Sequence, residues 1–178
     1  MDYLIIDFPP GTSDEPLTVA QNLPDIDGMV IVTTPQDVAL LDSRKSITFA
    51  NSLKVDVIGV IENMSGYTVR GKAPSGTEIE LAAPGGKTIR VTADDDGHWS
   101  GTLDIFKSGG GEKTAEEFGV PFLGKLPFDP GFVRGGDDGV HRIVSEPEGA
   151  SSQAFANVVS EIQSRVESGS TDSGLEII

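Results

Sequence analysis

The 178 residues predict an α/β fold: a partial, doubly wound and mostly parallel sheet carrying a small antiparallel insertion. Three observations point there. Short apolar runs that read as buried strands alternate with stretches of helical periodicity, which is how βαβ units look in sequence. Residues 68–103 break this rhythm and alternate polar with apolar at a period of two. Cysteine is absent, which excludes a disulfide framework and thiolate zinc sites and leaves an apolar core to hold the chain together. A chain of this length buries roughly 70% of its unfolded surface and fits one domain.

The first apolar run is Tyr3-Leu4-Ile5-Ile6. It predicts a buried parallel strand ending on Asp7, at the carboxyl edge where open α/β sheets bind ligands, so Asp7 is placed to hold a magnesium-bound water. Pro9 and Pro10 stiffen the following loop, and Gly11 lets its backbone approach a phosphate. A carboxylate capping that loop is the structural alternative. Residues 29–32 form the second expected strand, and a helix from Asp37 to about Leu53 follows, with Val38, Leu41, Ile47, Phe49 and Leu53 available for packing. Residues 57–61 form the third strand, after which comes Asn63. A helix opens after the glycines at 109–111, with residues 112–118 as its body and Gly119 as its stop. A short strand at 121–126 precedes Pro127. The last helix covers about 152–166, and Phe155, Val158, Val159, Ile162 and Val166 follow the spacing of a core-facing stripe. From residue 168 on, the composition is that of a polar, disordered tail.

Within 68–103, Thr77-Glu78-Ile79-Glu80-Leu81 and Thr88-Ile89-Arg90-Val91-Thr92 flank Ala83-Pro84-Gly85-Gly86, a hairpin pattern. Asp96-Gly97 then turns the chain into His98-Trp99-Ser100, so three or four antiparallel strands are expected. Asp94-Asp95-Asp96-Gly97 imitates a calcium loop, but an EF-hand would place carboxylates where Thr92 and Leu103 stand, and a turn with solvated aspartates is the better reading. Ser108-Gly109-Gly110-Gly111-Glu112-Lys113-Thr114 imitates a phosphate-binding loop. That pattern needs glycines where Glu112 and Lys107 stand, so the glycines are expected to serve a tight helix start instead. His98 and His141 are far apart in sequence and read as surface residues, and no metal-ligand set is assigned.

The net charge of −15 argues against nucleic-acid or anionic-membrane partners, both of which need basic footprints. Such acidity suits a salt-rich cytoplasm as well as an ordinary acidic protein. No apolar run reaches the ~20 residues a membrane helix needs, and no basic segment leads into an apolar one at the start, so a cytoplasmic location is expected.

Four blocks in register carry a resemblance to a known family. They are residues 7–14 (Asp-Phe-Pro-Pro-Gly-Thr-Ser-Asp), 32–39 (Val-Thr-Thr-Pro-Gln-Asp-Val-Ala), 59–66 (Gly-Val-Ile-Glu-Asn-Met-Ser-Gly), and 104–106 with 109–113 through 121–124. The chain resembles the Mrp/ApbC family of MinD-like P-loop ATPases, which carry iron-sulfur clusters to apoproteins, over most of its length outside 68–103. The resemblance implies residues 1–167 as an incomplete MinD-like P-loop ATPase domain interrupted by the insertion, with 168–178 as tail. It implies ATP and Mg2+ as ligands. Asp7 would help hold magnesium, Asp14 would lie in the switch and help position water, Gly11 would approach the γ-phosphate, Asn63 would recognise the adenine edge, and Pro127 would pack near the base; Asn63 capping a turn stays open beside this. A homodimer or a full-length paralogue, and iron-sulfur apoproteins, are the implied partners.

Two departures qualify the resemblance. The family's lysine-bearing glycine-rich loop is missing from these residues, and its loss removes the backbone N–H cradle that binds phosphate. The family's cluster-ligating Cys-x-x-Cys pair is replaced by Tyr67-Thr68-Val69-Arg70-Gly71-Lys72. The expected function is therefore an ATP-dependent iron-sulfur cluster carrier without its own phosphate loop or thiolates. The alternative is a non-catalytic binding or regulatory module acting through protein contacts, the insertion being either a stabilising flap or the contact surface. A membrane-positioning ATPase fits less well, because the last helix carries one arginine, Arg165, against Glu161 and Glu167. Without an amino-terminal strand the sheet is expected to expose an edge and apolar surface, favouring self-association.

Overall fold

β2 (Val57–Glu62) is the centre of the molecule, pairing in parallel with β1 (Met29–Thr33) on one side and β7 (Phe122–Lys125) on the other. The structure, a computed structural model, describes residues 3–8, 14–23 and 26–170, without the side chains of residues 14, 15, 169 and 170. Gly59, Val60, Ile61 and Glu62 are all buried, as a strand covered on both faces must be. Helices cover each face. On one, α2 (Asp37–Leu53) and α3 (Gly110–Phe118) close a cluster of Ile31, Ile47, Val60 and Ala115. On the other, α6 (Ala150–Ser170) brings Val158 onto Ile61 and Leu123, with Ile162 alongside. Each fully buried aliphatic in these clusters contributes roughly 1.5–3 kcal/mol relative to exposure. Gly59 is small because a Cβ there would lie 2.6 Å from Leu123 Cγ and 2.8 Å from the Pro121 carbonyl.

The expected elements fall close to where they were read. Gly119 ends α3 in the left-handed conformation at φ 65°. Three details differ. α2 packs through Leu40, Ser43, Ile47 and Ala50, while Val38 and Leu41 are 74% and 54% exposed. The spacing of three, four and three residues puts the first four on one stripe, and Val38 and Leu41 fall outside it. α6 continues past 166 to Ser170, overlapping the expected tail; residues 171–178 lie outside the described residues.

The third difference concerns residues 3–6, expected as a buried strand. Residues 3–8 have no regular structure, and Leu4 and Ile5 are 68% and 92% exposed. An apolar run calls for neighbours on both faces and both edges, but none of the described strands lies beside it. β1 pairs only with β2 among the described residues, and Val32 on it is 58% exposed. α1 (Asp14–Asn22) links this segment to the sheet.

The insertion is four strands in two antiparallel ladders. β3 (Tyr67–Lys72) pairs with β6 (His98–Leu103), and β4 (Glu78–Ala83) pairs with β5 (Lys87–Thr92) across a single turn at Pro84–Gly86. Both ladders alternate in burial, and their inner faces meet. A Cβ on Gly101 would come 2.5 Å from Leu81 Cδ1 and 3.1 Å from Val91 Cγ1, and one on Gly71 would enter the Trp99 ring at 2.4 Å. Glycine at these two positions lets large apolar neighbours close the sandwich. The acidic triple is a turn: Asp94 Oδ1 accepts the N–H groups of Asp96 and His98 at 3.0 and 2.8 Å.

The exposed apolar run and open β1 edge should drive self-association. In light scattering coupled to size exclusion, apparent mass should rise with concentration, and the Leu4→Lys/Ile5→Lys variant should shift toward monomer. Equal, concentration-independent masses for both proteins would refute this.

Candidate functional site

The three parallel strands end level with one another, since Thr33 is registered with Glu62 and Glu62 with Lys125. The loops leaving them stay together through backbone bonds that extend the ladder: Asn63 N–H to the Thr33 carbonyl at 2.7 Å, Leu126 N–H to the Glu62 carbonyl at 2.8 Å, and Ser65 N–H to the Leu126 carbonyl at 2.9 Å. Asn63 is thus held between Thr33-Thr34 and Leu126-Pro127 at the carboxyl edge. Its Oδ1 accepts the Met64 N–H at 2.9 Å, so the turn-capping reading holds for the oxygen. No hydrogen bond engages its Nδ2 group among the described residues, leaving two N–H donors for a ligand. Met64 takes the left-handed conformation at φ 55°, a strain of order 1–3 kcal/mol that the surrounding bonds must maintain.

Beneath this tip lies a carboxylate that the sequence reading passed over. Glu62 is wholly buried; its Oε1 accepts from Ser65 Oγ at 2.5 Å and Gly109 N–H at 3.0 Å, and its Oε2 accepts from Gly111 N–H at 2.7 Å. The donors at 109 and 111 belong to the start of α3, where orphan N–H groups and the helix dipole favour an anion. The triple glycine follows from this. Gly109 stands at φ 84°, a Cβ on Gly110 would meet Leu40 Cδ1 at 2.7 Å, and one on Gly111 would meet Glu62 Cβ at 2.9 Å. The stretch does not offer its N–H groups to a phosphate, because the chain's own carboxylate occupies the helix start. The available signal was an acid closing an apolar strand run, but its partners are 47 and 49 residues away.

The same edge is framed by two further acids. Asp37, at the start of α2, accepts from Lys107 Nζ at 2.5 Å, and that bond holds its carboxyl below the ordinary 3.8. Asp129 caps α4 (Pro130–Asp138), accepting the Gly131 N–H at 2.7 Å, and is paired at 3.4 Å with Arg142 of α5 (Arg142–Ser145), which also pairs with Glu146. Burial pushes the Asp129 carboxyl up, but the Gly131 N–H, Ser151 and Arg142 outweigh it and bring it below 3.8. The signal for this cap was an aspartate directly before Pro130 at the first helical position.

Of the residues expected to form the site, Asn63 and Pro127 come together at this edge, with Pro127 half-buried after β7. Asp7 is exposed in the irregular segment, a correction to its expected place at a strand end. Asp14 begins α1 with its side chain undescribed, and Gly11 lies outside the described residues. No group of three His, Cys, Asp or Glu suited to a metal occurs among the described residues. A single exposed carboxylate such as Asp7 fits a magnesium ion held mainly by phosphate oxygens and water, not a dedicated protein cage. The chain has no cysteine to ligate an iron-sulfur cluster. A cleft of about 560 Å3 lies between β4–β5 and residues 104–108, lined by Lys87, Thr88, Asp104 and Lys107 among others.

Parallel strands wrapped by helices on both faces, with loops gathered at their carboxyl ends, define an α/β fold of the MinD type. The structure is similar to the cell division ATPase MinD of Pyrococcus furiosus, with a TM-score of 0.50 and 18% identity over 78% of this chain and 43% of that one. It is similar also to a nucleotide-binding protein of Archaeoglobus fulgidus solved with ADP, at a TM-score of 0.50 and 30% identity over 78% and 46%. The chain belongs to the NUBPL iron-transfer P-loop NTPase family, whose model matches residues 1–86 and 93–163. The resemblance drawn from the four sequence blocks agrees with this. Similar proteins include the iron-sulfur cluster carrier proteins of Methanocaldococcus jannaschii, 40% identical over 94% of this chain, and of Synechocystis, 39% identical over 93%. A cytosolic Fe-S cluster assembly factor NUBP2 homolog of Nematostella vectensis is 41% identical over 78%. The chain spans 48%, 39% and 42% of these three relatives, less than half their length. No described helix is long and apolar enough to cross a membrane.

Gly111→Ala should cost about 1–3 kcal/mol in urea unfolding, because its Cβ would displace the Glu62 side chain from the helix start; a change below a few tenths would contradict this packing. The stability contributed by Asp129 is full above the unfolded pKa near 3.9 and is lost as pH falls through the lower folded value. Asp129→Asn should therefore lower stability at pH 7 by about 1 kcal/mol and flatten the loss below pH ~4. An identical pH slope in both proteins would contradict this linkage.

Proposed function

We propose that the chain serves in ATP-dependent iron-sulfur cluster delivery, contributing the base-recognising edge and the switch of a nucleotide site. The observation that carries this is the meeting of Thr33, Asn63 and Leu126-Pro127 at one sheet edge, in a chain 40% identical to an archaeal protein named as a cluster carrier. The free N–H donors of Asn63 would read the adenine edge, and Pro127 would pack against the base. Gly11 would approach the γ-phosphate, Asp7 would hold a magnesium-bound water, and Asp14 would orient the attacking water. Magnesium, when bound, would neutralise charge between the phosphates, and the rest of catalysis would be positioning. The phosphate-binding lysine would come from polypeptide outside these 178 residues, such as a full-length paralogue. The cluster, as cargo, would be held by thiolates of such a partner and passed to apoproteins in the cytoplasm.

A second reading has its own support. The Asp7 segment lies outside the sheet, and the two-ladder sandwich follows the strand end at which the family resemblance expects cysteines. Both features suit a non-catalytic module that acts through protein contacts.

Calorimetric titration of Mg-ATP into the chain separates the two. A dissociation constant below about 1 mM that weakens roughly tenfold or more in Asn63→Ala, and is lost in Asp7→Ala, supports the nucleotide reading. No heat from a protein with a folded spectrum assigns the chain to the module reading.

A further inference from the structure

The Glu62 carboxylate is the one wholly buried acid among the described residues; no salt bridge reaches it in that set, Lys125 opposite it on β7 bridging Glu112 instead. Its partners are not arranged at random. Ser65 stands on the segment that leads into the insertion at Tyr67, while Gly109 and Gly111 stand on the segment that leads out of it after Leu103. One side chain therefore gathers both ends of a four-stranded insertion. The hydrogen bond from Ser65 closes a tight loop over residues 62–65 whose tip is Asn63 and the left-handed Met64. The tip is pinned on its other side by the bond from Asn63 N–H to Thr33.

A buried carboxylate is a poor choice if stability alone is wanted, because well-packed apolar residues of similar volume often serve as well or better. What three directed bonds add is geometry: two oxygens locate three donors from two separate loops, and polar networks of this kind specify one arrangement. We infer that Glu62 is a positioning residue, which sets the Asn63–Met64 tip and transmits displacement of the insertion to it. This deepens the nucleotide-edge reading and rests on it only for the identity of what Asn63 contacts. A protein docking on the insertion would then alter base recognition without touching the nucleotide.

The test needs no ligand. In the 15N-labelled full chain, Trp99→Ala loosens the inner face of the insertion, far in sequence from the tip. Its effect on the Asn63 backbone and side-chain amide resonances is compared in the native background and with Glu62→Gln. The inference expects the Asn63 resonances to move in the first case and to stay in the second. It also expects the Gly109 and Gly111 amide protons to shift upfield in Glu62→Gln, as they lose a charged acceptor. Should Glu62→Gln not fold, Ser65→Ala, which removes one donor, replaces it in the same comparison. Unmoved Asn63 resonances in Trp99→Ala, or equal movement in both backgrounds, would overturn the inference. Where the wild type binds nucleotide, Glu62→Gln should lower the ATP-over-GTP preference roughly as Asn63→Ala does, with no further loss in the double variant. A wild type that binds no nucleotide removes the nucleotide reading and leaves the resonance comparison to decide.

Discussion

The bond set between Glu62 and the first turn of α3 is the constraint on which the other parts of this molecule depend. Taking a carboxylate out of water costs several kcal/mol. Three hydrogen bonds to a charged acceptor, at roughly 1.5–3 kcal/mol each, are of the size needed to offset that. The result joins three things that are distant in sequence: the central strand, the helix that packs over it, and the ends of the insertion. It also dictates composition. Gly111 has no room for a Cβ beside Glu62, Gly110 has none beside Leu40, and Gly109 must turn left-handed to deliver its N–H.

The insertion packs its short strands against one another. A lone hairpin is marginal in water. Here two ladders stack, and the flat positions Gly71 and Gly101 accommodate Trp99, Leu81 and Val91. Its outer faces are polar, with Arg90 paired to Glu80 across one ladder and Thr68 bonded to Thr102 across the other. Tyr67 is tied to the segment that leaves β7 through its bridge and edge contact with Phe128. The insertion is thereby mounted on the same carboxyl edge that carries Asn63 and Pro127.

That edge is unevenly furnished. On one side it is built from interlocked loops with unpaired donors on Asn63, while Asp7 stands in solvent on a segment apart from the sheet. The contrast follows from pairing. β2 has neighbours on both sides and its loops inherit their order, whereas residues 3–8 have no described strand to align them.

What the sequence alone determined is local. Short apolar runs set β1, β2 and β7, glycines set the ends of α3, and period-two alternation set the hairpin, because each of these signals lies within a few residues of the structure it produces. The family likeness singled out Asn63 inside one block and Pro127 just beyond the last, and the fold brings the two to one edge. Tertiary structure decided the rest. Whether residues 3–6 form a strand depends on a neighbour, and which face of α2 is buried depends on where α3 and the sheet stand against it, so Leu40 and Ala50 are covered and Val38 is not. Glu62 is the clearest case: as a residue in a row it is a charged side chain ending an apolar strand, and only donors arriving from 47 and 49 positions away make its burial possible.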